Sequence, residues 1–228
     1  MSKQFWGIIA LIIIIFVGVF AFGGNKNTGS SAGATNHVEG SSPSNVKLVE
    51  YGDYECPYCG QYFPIVKQVQ DEFKDKIVFQ FRNFPLTSLH PNAFAGARAA
   101  EAAALQNKFW EMHDLLYQDQ TQWSTATDPT PLFRTYAGQL GLNLTKFTTD
   151  YASSAVNDSI NADMAAGSKL NITGTPTFFL DGKQVQVGES VADFEKIINA
   201  ELSKKGSATS AGSTSQTKGT STNSTSGQ

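Results

Sequence analysis

The chain has 228 residues and a formal net charge of −3, and its central part, residues 46–202, carries 12 basic and 19 acidic side chains. An acidic domain without a basic stripe argues against nucleic acid as a partner. A centre of this length, in a chain that is 40% hydrophobic, can form its own core, so the two cysteines are not the scaffold of a small disulfide-rich protein.

The N-terminal part divides into an apolar run and a polar segment. Residues 5–22 contain no charged side chain and would extend about 27 Å as a helix, nearly the apolar thickness of a bilayer. We therefore predict a transmembrane signal-anchor within residues 1–22, with the domain that follows lying outside the cytoplasm. A cleaved signal is the alternative and leads to the same side of the membrane. Residues 23–45, rich in Gly, Ser, Asn and Thr, predict a flexible stalk.

Strand and helix patterns then alternate along the first half of the domain. Val46–Tyr51 and Lys76–Phe84 predict strands, the second through its alternating apolar residues. Apolar residues at helical spacing between them predict a helix that reaches Phe73, with a bend at Pro64. Further helices are predicted at Ala93–Leu105 with Pro91 in the first turn, at Phe109–Tyr117, at Pro131–Leu140 and at Ser153–Lys169.

The pattern returns to strands near the end of the domain. Thr177–Leu180, an Asp-Gly turn and Lys183–Val187 predict a hairpin, and Val191–Leu202 predicts a closing helix. Residues 203–228 are rich in Ser, Thr and Gly and predict a disordered tail. The whole predicts an α/β domain at residues 46–202, a four-stranded unit with a helical insertion at about residues 90–170.

Both cysteines of the chain lie in one motif, Cys56-Pro57-Tyr58-Cys59, directly after a strand and at the start of a helix. The unpaired N–H groups and the positive dipole end of a helix N-terminus stabilise a thiolate at Cys56. Pro57 suits the first helical turn, where its missing N–H costs nothing. The spacing places Cys59 one turn on, within reach of a mixed disulfide at Cys56. The motif therefore predicts thiol–disulfide exchange, with Cys56 as nucleophile and Cys59 as resolving thiol.

Two other uses of the cysteines are less favoured. A structural disulfide across two residues would close a loop too small to stabilise the fold much. A zinc site needs four ligands, and only His37, His90 and His113 could add to the pair. His37 lies in the predicted stalk, and the other two histidines suit structural positions. We therefore expect neither a metal nor another cofactor.

Several motifs together resemble one protein family. They are VEYGDYECPYC at residues 49–59, His90-Pro91-Asn92 before the alanine-rich helix, KFWEMH at residues 108–113 and GTPT at residues 174–177. The chain resembles the DsbA-like thioredoxin-fold oxidoreductases of bacterial cell envelopes over most of residues 46–202. The resemblance implies a thioredoxin fold with a helical block inserted between its βαβ and ββα halves, with Cys56 attacking and Cys59 resolving.

The resemblance also assigns roles to other residues. It implies a cis Thr175–Pro176 bond facing Cys56, with the Thr175 backbone pairing with an extended substrate. It implies that Glu50 is a buried acid that carries the proton of Cys59. Pro57 and Tyr58 are the remaining expected substrate contacts. An ordinary trans proline and a solvated Glu50 are the alternatives.

Two features depart from a strongly oxidising member of this family. The dipeptide between the cysteines is Pro-Tyr rather than Pro-His, so no imidazole lies between them. Asp53 and Glu55 add negative charge near Cys56, which works against a thiolate. The motif alone therefore leaves the direction of electron flow open.

The expected function is disulfide formation in exported, cysteine-containing polypeptides. The resemblance implies a membrane quinone-linked partner that removes the electrons. The chain shows no separate dimerisation domain, so we expect a monomer. A reductase or isomerase of the same fold is the nearest alternative, and a membrane-tethered chaperone or adaptor without catalysis is the alternative of another class.

Overall fold

The computed structural model describes residues 33–43 and 45–213. The predicted anchor at residues 1–22, and residues 23–32 and 44 of the predicted stalk, lie outside the described residues. Within the part of the chain that is described, no helix combines the length and the apolar character needed to cross a membrane.

One mixed sheet forms the centre of the described residues, with the strand order β1-β3-β2-β4-β5. The strands are β1 (His37–Gly40), β2 (Lys47–Gly52), β3 (Val78–Asn83), β4 (Thr177–Leu180) and β5 (Lys183–Val185). β2 and β3 run parallel, and the other neighbouring pairs are antiparallel. In this register Glu50 of the central strand β2 lies beside Phe81 on β3 and Phe178 on β4. An acidic side chain thus lies between two buried aromatic residues.

The helices confirm the predicted order of elements. They are α1 (Pro57–Phe73), α2 (Ala93–Ala104), α3 (Phe109–Gln118), α4 (Gln120–Ser124), α5 (Thr130–Gln139), α6 (Leu144–Tyr151), α7 (Ser154–Lys169) and α8 (Val191–Ser213). α1 connects the parallel strands β2 and β3, and α2 to α7 are inserted before the β4–β5 hairpin. The fold is therefore the expected thioredoxin type with an inserted helical block. Pro64 lies inside α1 without ending it.

The predicted stalk is wrong for its last residues, because residues 37–40 form β1 and pair with β3. The sequence did not predict β1, because its four residues are of mixed polarity and show little of the pattern typical of a strand. They are held by distant partners: His37 Nε2 is 2.8 Å from Glu101 Oε1, and the His37 ring stacks on Phe109 with 3.5 Å between ring centroids. The sheet consequently has one strand more than the four predicted.

Asp163 of α7 fastens the segment before β1 to the centre of the fold. Its side chain is fully buried. It accepts hydrogen bonds from the Thr35 amide at 2.7 Å, from Arg82 Nη1 at 2.9 Å and from the Asn83 amide at 3.0 Å. One carboxylate therefore joins the N-terminal segment, β3 and the inserted helical block.

The predicted disordered tail is wrong for its first residues, because α8 continues to Ser213. Extending an existing helix fixes one residue per added hydrogen bond, so a weak sequence can follow a strong amphipathic start. Lys205 Nζ also lies 2.6 Å from Asp181 in the β4–β5 turn. Residues 214–228 lie outside the described part of the chain.

The inserted block departs from the sequence prediction at three points. α2 begins at Ala93, two residues after Pro91, and the Asn92 side chain donates to the carbonyls of Ser124 and Ala126 instead of capping the helix. The short helices α4 and α6 were not predicted. α6 carries a recognisable start, since the Asn143 side chain accepts from an amide in the first turn.

We predict that Asp163→Ala lowers the free energy of unfolding by about 3–5 kcal/mol, because it leaves the partly buried Arg82 guanidinium and two backbone amides without their acceptor. Urea denaturation followed by circular dichroism measures this. Glu111→Ala is the matched control: its carboxylate pairs with Lys108 on the surface of α3, and the loss should be at most about 1 kcal/mol. Equal losses in the two variants would contradict the central role of Asp163.

Candidate active site

The two cysteines lie at the junction of β2 and α1. Cys56 is the N-cap of α1, with an extended backbone at φ −65° and ψ 122°, and Pro57 occupies the first turn. Cys59 lies one turn further along. Both are free thiols; Cys56 is 4% exposed and Cys59 is fully buried. The strand end and the helix start therefore present one thiol near the surface and its neighbour inside.

The surroundings of Cys56 favour its thiolate. Its pKa falls from 9.0 to about 5, and the main cause is the hydrogen bond that the Cys59 thiol donates to it. The Thr175 side chain and the amides of Cys59 and Tyr58 lower this pKa further, while burial acts against them. Cys56 is therefore ionised at neutral pH.

Cys59 has the opposite character. Burial, followed by the nearby sulfur of Cys56, raises its pKa well above the ordinary value of 9.0. The Asp53 amide donates to Cys59 Sγ at 3.5 Å and partly offsets this effect. The dithiol is thus asymmetric, with a ready nucleophile at Cys56 and a protonated thiol at Cys59.

Glu50 is a buried acid in the central strand. It is 4% exposed, so the alternative of a solvated strand residue is wrong. Burial, with a smaller contribution from the negative charge of Cys56, raises its pKa to about 8. The charge of Glu50 in turn contributes to the raised pKa of Cys59. A carboxyl group that titrates near neutral pH suits proton transfer, and the proton transfer to or from Cys59 remains a prediction.

The segment before β4 lies against Cys56, as the resemblance implies. The Thr175–Pro176 peptide bond is cis. Cys56 Sγ donates to the Thr175 carbonyl oxygen at 3.3 Å in the dithiol form. The structure therefore brings together the predicted residues Cys56, Cys59, Thr175 and Pro176, although they are about 120 positions apart in the chain.

The expected substrate contacts lie at the surface of this site. Pro57 and Tyr58 are exposed, and the Tyr58 side chain is 62% exposed although it is large and apolar. Leu89, which is not among the predicted substrate contacts, is 71% exposed. It belongs to the segment after β3 that is bound to the turn before Cys56. The sequence gives no signal for Leu89 beyond its neighbour His90. Substrate binding by these residues remains a prediction.

The carboxylates of Asp53 and Glu55 are engaged away from the Cys56 thiol. Asp53 Oδ2 is 2.7 Å from His90 Nδ1, and Glu55 Oε2 accepts from the Asn92 amide at 2.6 Å. The predicted conflict between these charges and a thiolate is thus reduced by partners in the segment after β3. The motif His90-Pro91-Asn92 is the sequence signal for these contacts, although it was predicted as a family motif and not as part of the site.

Gln120 of α4 links the inserted block to the active-site backbone. Its Nε2 donates to the carbonyls of Tyr54 at 2.7 Å and Cys56 at 2.9 Å. A glutamine in a five-residue helix carries no sequence signal for such a role. The block therefore fixes the turn that presents the nucleophile.

His113 takes the structural position expected for it. His113 of α3 is 2% exposed and lies among aromatic rings, and burial lowers its pKa. Among the residues that the structure describes, no group of three or more His, Cys, Asp or Glu side chains could hold a metal ion.

We predict that the Cys56 thiolate titrates with a midpoint near pH 5, measured by absorbance at 240 nm on the reduced protein. Cys59→Ala removes the main donor to the sulfur and should move the midpoint up toward 9. Cys59→Ser keeps a hydroxyl donor and should lie between the two. A midpoint that is the same in the wild type and Cys59→Ala would contradict the proposed cause of the low pKa.

Comparisons with known proteins agree with this geometry. The family model described as "Thioredoxin" matches residues 32–200. The chain is 39% identical over 153 residues to the "Na(+)/H(+) antiporter NhaA 1" of Mycolicibacterium gilvum and 41% identical over 149 residues to the "Na(+)/H(+) antiporter NhaA 3" of Salinispora tropica. Each match covers 65% of this chain but only 24% and 22% of those proteins. The chain thus spans about a quarter of the length of these curated relatives.

Solved structures share the fold over most of their length. BdbD from Bacillus subtilis has a TM-score of 0.66 at 22% identity, covering 74% of this chain and 93% of that one. A thioredoxin-like oxidoreductase from Silicibacter pomeroyi has a TM-score of 0.60 at 26% identity, covering 72% and 91%. The α-DsbA1 protein of Wolbachia pipientis has a TM-score of 0.65 at 19% identity, covering 77% and 94%. The chain therefore belongs to the thioredoxin family, with the fold of its DsbA-like members.

Proposed function

We propose that the protein is a thiol–disulfide oxidoreductase that forms disulfides in cysteine-containing exported polypeptides. The observation that carries the proposal is the asymmetry of the dithiol: an ionised Cys56 at the start of α1 beside a buried, protonated Cys59. A structural pair of cysteines has no need of such different protonation states, whereas thiol–disulfide exchange depends on them.

The exchange follows from the positions of the two sulfurs. In the oxidised protein, a substrate thiolate attacks Cys56 Sγ, forms a mixed disulfide and releases Cys59 as a thiolate, which takes a proton from Glu50. A second substrate thiolate then attacks the substrate sulfur of the mixed disulfide and releases the Cys56 thiolate. The substrate gains a disulfide and the protein keeps the two electrons. The backbone of Thr175 lies beside Cys56 and would pair with the extended substrate segment.

The low pKa of Cys56 favours the oxidising direction. A stabilised thiolate stabilises the reduced protein, so electrons flow from the substrate to the protein. The value of about 5 for Cys56 lies between those of thioredoxin, about 7, and DsbA, about 3.5. We therefore expect a reduction potential between about −270 and −120 mV.

The location and the electron acceptor are part of the same proposal. The apolar run at residues 5–22 supports a membrane-anchored protein whose catalytic domain lies outside the cytoplasm. The family resemblance supports a membrane quinone-linked partner that reoxidises the dithiol. We also propose that the protein acts as a monomer.

The redox potential tests the direction of electron flow. Equilibration with glutathione buffers, followed by alkylation and mass spectrometry, reports only Cys56 and Cys59 because the chain has no other cysteine. We expect a reduction potential between about −270 and −120 mV, and a potential of about −270 mV or lower would favour a reductase.

The variant Cys56→Ser tests whether the protein is an enzyme, and it should abolish thiol–disulfide exchange. A variant that still oxidises a reduced substrate peptide would contradict the enzyme, and an unchanged biological role without exchange would favour an adaptor.

Glu50 predicts a pH dependence with a definite sign. Its pKa is raised in the folded protein, so its contribution to stability is greatest below pH 4.5 and is lost as the pH rises to about 8. Glu50→Gln, which resembles the protonated acid, should remove this loss, on the order of a few kcal/mol. Urea denaturation at several pH values measures the difference, with Cys56→Ser in both proteins to remove the thiolate. A difference that does not grow with pH would contradict the buried neutral acid.

A further inference from the structure

Asp53, three residues before Cys56, is a junction of partly buried hydrogen bonds. Its Oδ1 accepts from the Glu55 amide at 2.8 Å. Its Oδ2 accepts from the Leu86 amide at 2.9 Å and lies 2.7 Å from His90 Nδ1. Both backbone donors and the imidazole belong to segments that border the active site. The carboxylate therefore ties the turn before α1 to the segment after β3.

His90 can donate the shared hydrogen bond at this junction. The Asp53 side chain is fully buried and that of His90 is 17% exposed. In the tautomer with a proton on Nδ1, His90 donates to Asp53 Oδ2, since a carboxylate oxygen accepts hydrogen bonds. Hydrogen bonds to an ionised group are stronger than neutral ones. His90 is thus the one side-chain donor among the three groups bound to Asp53.

The same residue contacts the resolving cysteine through its backbone. The Asp53 amide donates to Cys59 Sγ at 3.5 Å and lowers the pKa of that thiol against the effect of burial. The bond from the Glu55 amide to Asp53 Oδ1 closes a local turn that fixes the backbone of Asp53. Anything that holds the carboxylate therefore also holds the amide that faces Cys59.

We propose that Asp53 and His90 are positioning residues for Cys59: His90 holds the Asp53 carboxylate, and the Asp53 amide then stabilises the Cys59 thiolate during exchange. The inference rests on the proposed function. In resolution, the Cys59 thiolate attacks Cys56 Sγ of a mixed disulfide, forms the Cys56–Cys59 bond and expels the partner as a thiolate, which takes up a proton. When a substrate thiolate opens the protein disulfide, Cys59 leaves as the same thiolate. The two residues therefore act in either direction of electron flow.

His90→Ala separates this role from that of Cys56. The reduced full-length protein is mixed with oxidised glutathione, quenched in acid at set times and analysed by mass spectrometry. Attack of the Cys56 thiolate adds one glutathione, and resolution by Cys59 removes it. We expect the rate of glutathione addition at Cys56 to stay within about twofold of the wild type. The rate of resolution by Cys59 should fall about fivefold, since one charge-assisted hydrogen bond is lost. The mixed disulfide should then accumulate to a higher peak.

Two further variants exclude a merely structural effect. His90→Asn places an amide N–H near the position of Nδ1 and should restore the second rate to within about twofold of the wild type. Ser88→Ala changes an exposed residue of the same segment and should leave both rates unchanged. Thermal unfolding confirms that each variant is folded at the assay temperature.

The outcomes also separate this inference from the proposed function. A wild-type protein that forms neither the mixed nor the internal disulfide contradicts the proposed function itself. A wild type that completes both steps, with an unchanged second rate in His90→Ala, contradicts only the positioning role. Equal slowing of both steps, or no recovery in His90→Asn, contradicts it as well.

Discussion

The hydrogen bond from the Cys59 thiol to the Cys56 sulfur is the interaction around which the site is built. It is the main cause of the low pKa of Cys56, and it needs a protonated Cys59 as donor. Burial keeps Cys59 protonated, because it raises the pKa of this thiol. The low pKa of Cys56 therefore depends on the complete burial of Cys59, and the start of α1 at the end of β2 sets the positions of both sulfurs.

Buried carboxylates hold the surrounding segments in place where the core alone does not. Asp163 joins the segment before β1 to β3 and α7, and Glu101 of α2 binds both His37 and the Asn83 side chain. Asp53 does the same beside the cysteines. Each carboxylate accepts hydrogen bonds from donors in distant parts of the chain. Removing any one of these carboxylates would leave several polar groups without a hydrogen-bond partner. Some of the acidic side chains of this domain therefore stabilise the fold from within it.

The sequence predicted those features that depend on local patterns. The motif Cys56-Pro57-Tyr58-Cys59, the β4–β5 hairpin and the amphipathic helices follow from turn chemistry and from periodicity, and the structure confirms them. β1 could not be predicted in this way, because its stability comes from Glu101 and Asp163, far along the chain. The same holds for Gln120, whose contact with the Cys56 carbonyl depends on how the inserted block lies against the sheet.

The pKa of Cys56 is lowered and that of Glu50 is raised, so the thiol carries the negative charge and the carboxyl group keeps its proton. Near neutral pH the thiol with a pKa of about 5 is ionised, and the carboxyl with a pKa of about 8 is neutral. Ionising both would put two negative charges in one poorly solvated region, which is why the charge of Cys56 contributes to the raised pKa of Glu50. Once Cys56 is consumed in a disulfide, that contribution disappears and Glu50 gives up its proton more readily. In the proposed exchange, Glu50 therefore becomes a better proton donor in the step that releases Cys59 as a thiolate.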